Sequence, residues 1–210
     1  MRVFVLLFFF ILTACTVNKL YYVPTKIAPD VKKITFNGRK GDTIIVLFDS
    51  VHQPKFVNAL NEEKDLLYTI KVHNYKGAKD NILNAWLMQP KNIKPKATVL
   101  FLHGNAGNVL WQYRGMLPLV ERGYQVFMFD YSGYGFSDGK ATRSNVLKDA
   151  VASLNYLMTL PEVKGTKLIV YGQSLGGHLS ATLAELEQSK VDGLIIEGAF
   201  SSHKDIAAET

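Results

Sequence analysis

Leu168-Ile169-Val170-Tyr171-Gly172-Gln173-Ser174-Leu175-Gly176-Gly177 is an apolar run that ends in Gly-x-Ser-x-Gly, and Leu179, Leu183 and Leu186 carry it on at helical spacing. The run reads as a buried strand and the leucines as the inner face of a helix. Between them stands a tight turn of the nucleophile-elbow type, which lifts the Ser174 hydroxyl clear of the backbone. Gly172 and Gly176 have a steric reason to be small. With a strained serine at the apex, the residues two before and two after it are forced together. The helix that follows points unpaired N–H groups at any negative charge developing beside Ser174.

The same alternation extends to either side. Ala97 to Leu102 leads into a helical stretch from Val109 to Arg122. Gln125 to Phe129 leads through a glycine-rich loop into Asn145 to Leu160, and Lys167 to Tyr171 leads into Leu175 to Ser189. A last run, Gly193 to Ile196, opens toward Glu197-Gly198. Upstream, Leu66 to Val72 and Ile82 to Met88 are candidate strands with turn formers Gly77 and Asp80-Asn81 between them, and Thr43 to Phe48 is a candidate short strand. Near-continuous apolar strands alternating with helices predict an α/β fold, a doubly wound and mostly parallel sheet covered on both faces. Sites in such sheets lie at the carboxyl ends of the strands. Here those ends carry His103-Gly104, Asp130-Tyr131, Gln173-Ser174 and Glu197-Gly198.

At 210 residues, with 48% of them hydrophobic, the chain suits one globular domain. Its net charge of +6 is spread out, without zinc-finger spacing or a basic helix, so nucleic acid is not an expected partner. The N-terminus is more specific. Arg2 precedes an apolar run from Val3 to Leu12, too short to span a bilayer but suited to the core of a signal peptide. Leu12-Thr13-Ala14-Cys15 resembles the lipobox of bacterial lipoproteins, in which the cysteine is acylated. Cys15 is the only cysteine, so no disulfide competes for its thiol. The other reading is an ordinary signal or an uncleaved anchor, with Cys15 incidental. The expected organisation is a signal peptide over 1–14, an anchor, tether and N-terminal extension over 15–60, and the catalytic-type domain over 61–210. Tyr21 to Pro24 and Ala28 to Asp30 read as tether or loop. A lipid-anchored protein on the periplasmic side of a membrane follows, and Thr16, not an aspartate, leans that toward the outer membrane.

His103-Gly104-Asn105-Ala106-Gly107-Asn108 supplies small residues whose backbone N–H groups can approach a substrate oxygen, as an oxyanion hole requires. Together with Phe129-Asp130-Tyr131-Ser132-Gly133-Tyr134-Gly135-Phe136-Ser137-Asp138-Gly139 and the elbow, this set resembles the α/β-hydrolases, in their esterase- and depalmitoylase-like branch, over residues 66 to 206. The resemblance implies Ser174 as nucleophile and the backbone N–H groups of Asn105 and Leu175 as oxyanion donors. His103, Gly104, Gly172, Gln173 and Gly176 would support them. It implies a small-molecule or acylated substrate, and neither cofactor nor metal.

Other residues keep two readings. His103 reads as a brace for its loop more than as a base, and Asp130 as a fixer of its turn more than as a catalyst. His178, one helical turn after Ser174, reads as packing or solvent-facing more than as site. Tyr131 and Tyr134 either line an acyl pocket or pack the loop.

The family places its acid and then its histidine after the serine, each following a later strand. The sequence stops at Thr210 before such strands, so a C-terminally incomplete hydrolase is expected, its last strand left as an apolar sheet edge. Glu197 and His203 follow Ser174 in the right order and form a weaker, compact alternative. Two function classes result: a serine hydrolase cleaving esters or thioesters, or a non-catalytic lipoprotein that keeps the fold for binding or assembly.

Overall fold

Five consecutive buried residues in each of Thr98–Leu102 (β6) and Gln125–Phe129 (β7) mark strands with both faces covered. The computed structural model describes residues 22–37, 43–77 and 79–199. The residues expected to form a signal peptide, Cys15 and His203 lie outside them. Before β6 come β1 (Lys33–Asn37), β2 (Thr43–Phe48), β3 (Pro54–Val57), β4 (Tyr68–Lys76) and β5 (Ile82–Pro90). After it follow α1 (Val109–Glu121), β7, α2 (Arg143–Thr159), β8 (Leu168–Gln173), α3 (Leu175–Leu186) and β9 (Gly193–Glu197).

A six-stranded sheet runs in the order β4-β5-β7-β6-β8-β9. β4 and β5 form an antiparallel hairpin, β5 pairs antiparallel with β7, and β7, β6, β8 and β9 are parallel. The hairpin turn is closed by Gly77 N–H on the Asn81 carbonyl at 2.7 Å. Strand alternation sorts the core into two layers. Leu100, Leu102, Phe127, Phe129 and Val170 pack with Leu154 of α2 and Leu179 and Leu183 of α3. Val99, Phe101, Val126 and Met128 pack on the other face with Leu110, Tyr113 and Met116 of α1. The α/β, doubly wound, mostly parallel architecture is thus the one expected.

β1, β2 and β3 make a separate antiparallel sheet, whose Ile44, Val46, Phe48 and Phe56 join the α1 layer. β2 stands where Thr43 to Phe48 was expected, whereas β1 and β3 were not anticipated. The helix expected to reach Ser189 ends at Leu186, with one 3₁₀ turn over Gln188–Lys190 beyond it.

The chain leaves β6 through α1 to reach β7 on one side, then returns through α2 to β8 on the other. β6 is therefore the switch point, and the crevice beyond its carboxyl end is where this kind of sheet accepts a ligand. His103-Gly104 stands there, flanked by Asp130 after β7 and Ser174 after β8.

Candidate active site

Ser174 links β8 to α3 with φ 53° and ψ −115°. Such a backbone is strained for a residue with a side chain, by about 1–3 kcal/mol, and persists only where its surroundings enforce it. They do so here through three main-chain bonds. Ser174 N–H donates to the Glu197 carbonyl at 2.8 Å, and the Ser174 carbonyl accepts from Gly177 N–H at 2.9 Å and His178 N–H at 3.2 Å. The glycines are required by contact. A methyl at Gly172 would overlap the Gly176 carbonyl, and one at Gly176 would overlap the Leu102 carbonyl. β8, α3 and β6 therefore meet backbone to backbone, with the Ser174 side chain exposed at the apex and not capping its own helix.

The loop after β6 forms the facing wall. A methyl built on Gly104 would lie 3.7 Å from Ser174 Cβ and 3.6 Å from the Gln173 carbonyl oxygen. Gln112, one turn into α1, fills the inside of this loop: its Oε1 accepts from Gly104 N–H at 3.2 Å and its Nε2 donates to the Gly104 carbonyl at 3.4 Å. A side chain at Gly107 would collide with that amide. Sequence reasoning missed Gln112, because a glutamine on a helix carries no signal of what it bonds. Leu175 is buried as the first residue of α3, where a helical N–H has no carbonyl four residues back to bond.

His103 is wholly buried, and its Nδ1–H donates to the Gly104 carbonyl at 2.8 Å. Burial pulls its imidazole down to about 4, against the smaller opposing effect of that bond, so it is neutral at pH 7. Asp130, also buried, is pushed up to about 7 by burial, partly offset by bonds from the Val109 and Phe136 N–H groups. The Val109 bond is 2.8 Å long. Asp130 thereby ties the start of α1 to the 133–137 loop, and at Gly135 any side chain would strike its carboxyl.

Tyr131 and Tyr134 are both fully buried, Tyr131 donating to the His103 carbonyl at 2.9 Å and Tyr134 to Asn105 Oδ1 at 2.6 Å. Of their two readings, packing of the loop is the one observed. His178 is half-buried on α3, and its imidazole is lowered by burial and then by the nearby Arg143 charge. The Glu197 carboxylate is engaged by the Tyr171 hydroxyl and, at 3.2 Å, by Gln173 Nε2.

Comparison with known proteins identifies the fold. Residues 97–209 match the family model described as alpha/beta hydrolase fold. The chain is 33% identical over 126 residues to the alpha/beta hydrolase domain-containing protein WAV2 of Arabidopsis thaliana, covering 60% of this chain and 41% of that protein. It is 35% identical over 130 residues to the protein bem46 of Schizosaccharomyces pombe, covering 59% and 42%. It thus spans well under half the length of these two relatives. Among solved structures, a brefeldin A esterase, a bacterial homologue of human hormone sensitive lipase, superposes with a TM-score of 0.57 at 16% identity, over 70% of this chain and 47% of the esterase. That likeness is one of fold.

Proposed function

The chain belongs to the α/β-hydrolase fold family, and on that premise we propose that it is a serine hydrolase whose Ser174 cleaves carboxylic esters or thioesters. The observation that carries the reading is the strained, exposed Ser174 held opposite the Gly104 wall at the switch point of the sheet. The hydroxyl oxygen attacks the acyl carbonyl carbon while a general base takes its proton. The tetrahedral oxyanion rests on the backbone N–H groups of Asn105 and Leu175. Collapse breaks the bond to the alcohol or thiol, which leaves with the proton, and water then frees the acyl group from Ser174.

His103 is poorly suited to serve as the base. It is neutral, but it is buried and its Nδ1–H is committed to Gly104. The chain order of this fold calls instead for a histidine that follows Ser174.

The test is reaction with a fluorophosphonate probe, read by mass spectrometry, and hydrolysis of p-nitrophenyl esters. The full-length protein takes one phosphonate on Ser174, and its Ser174→Ala variant takes none and loses at least about 10³-fold in kcat. A full-length protein that is not labelled at Ser174 would favour the non-catalytic, binding class instead.

A further inference from the structure

Tyr22 to Ile27 contain neither helix nor strand, yet they are bound to the loops that follow β6 and β7. Val23 N–H donates to Asn105 Oδ1 at 3.0 Å, the same oxygen that accepts from the Tyr134 hydroxyl at 2.6 Å. Two residues on, the Thr25 carbonyl accepts from Asn108 Nδ2 at 3.0 Å and from Gly135 N–H at 2.9 Å. Ile27 N–H donates to the Gly135 carbonyl at 2.8 Å, and the Lys26 ammonium bonds the Ser137 carbonyl. Both ends are fixed by burial: Tyr22 sits in the core layer of Tyr131 and Tyr134, and Ile27 in the layer of α1.

The segment therefore grips the 103–108 loop at two points, Asn105 and Asn108, and ties both to the 133–137 loop. A side-chain amide oxygen held by two donors cannot rotate without losing one of them, and a held side chain fixes the placement of its own Cα and N–H. We propose that Tyr22 to Ile27 is a positioning strap for the oxyanion donor, acting through the Asn105 side chain, with Tyr134 as its second anchor. The role rests on the reading of Asn105 N–H as that donor. Removing such a donor outright typically costs about 10²–10³ in rate, so loosening it should cost about tenfold.

Val23 is exposed and precedes Pro24, which already restricts it to extended backbone that a proline can adopt. Val23→Pro deletes the N–H donor, whereas Val23→Ala keeps it. Both are made in the full chain beside Tyr134→Phe. Two measurements are taken: ester kcat and KM with the rate of Ser174 phosphonylation, and amide hydrogen exchange over residues 103–108. Val23→Pro and Tyr134→Phe are expected to lower kcat and phosphonylation about tenfold with KM within about twofold, and to raise exchange at Asn105 about tenfold, while Val23→Ala matches wild type. Tyr134→Phe decides the matter if Val23→Pro does not fold. Exchange equal to that of Val23→Ala overturns the strap, and so does faster exchange with unchanged kcat. If wild type takes no phosphonate, the nucleophile reading falls, and the exchange arm still decides whether the strap holds the loop.

Discussion

His103 Nε2 and Asp130 Oδ1 stand 3.6 Å apart, in a buried setting that favours the neutral form of each. The two side chains pull stability in opposite directions with pH. The imidazole, lowered from 6.5 to about 4, contributes fully above pH 6.5, and that contribution is lost as the pH falls toward 4. The carboxyl, raised from 3.8 to about 7, contributes fully below pH 3.8, and that contribution is lost as the pH rises toward 7. Over the shared window the slopes oppose each other, so wild-type stability changes little through this pair. His103→Gln leaves Asp130 unbalanced. The variant should lose stability relative to its own value at pH 4.5 as the pH rises to 6.5, a trend the wild type lacks. Urea denaturation at several pH values measures it, and parallel pH profiles for the two proteins would refute the balance.

At the level of elements, the helix caps differ in reach. Thr142 caps α2 by accepting from Asn145 N–H at 3.2 Å and does little else. Asn108 caps α1 by accepting from Trp111 N–H at 3.0 Å, and also donates to the Thr25 carbonyl. Thr142→Ala should cost about 1 kcal/mol, and Asn108→Ala about 2 kcal/mol because a second bond goes with the cap. Equal losses in urea denaturation would mean the Thr25 bond contributes nothing. What could be read from sequence follows the same physics. β6, β7 and β8 were legible because burial on both faces demands apolar runs, and the elbow because steric contact demands glycine. β1 was hidden because it alternates exposed Lys33, Thr35 and Asn37 with only two apolar residues. β3 was hidden because it is four residues long and opens on Pro54. The strap leaves no signal in the sequence, since most of its bonds are made by main-chain N–H and C=O groups, which carry no mark of residue type.

Across the whole molecule, the sheet ends on β9 among the described residues, with Leu194, Ile195 and Ile196 each 43–46% exposed. An apolar edge strand with unpaired backbone groups favours pairing between chains. Ile195→Lys should therefore reduce self-association of the 210-residue chain, seen as lower light scattering at equal concentration; scattering that stays the same would place the association elsewhere. The strap has a consequence of another kind, in the order of synthesis. Val23 is made 82 residues before its partner Asn105, and Lys26 is made 111 residues before Ser137. Closing an 82-residue loop costs about 4 kcal/mol in chain entropy by the logarithmic rule, whereas one hydrogen bond returns about 1 kcal/mol. No single contact can hold the segment in place, so it docks with all its bonds together or not at all. The first described residues to leave the ribosome must wait for the two loops they fasten.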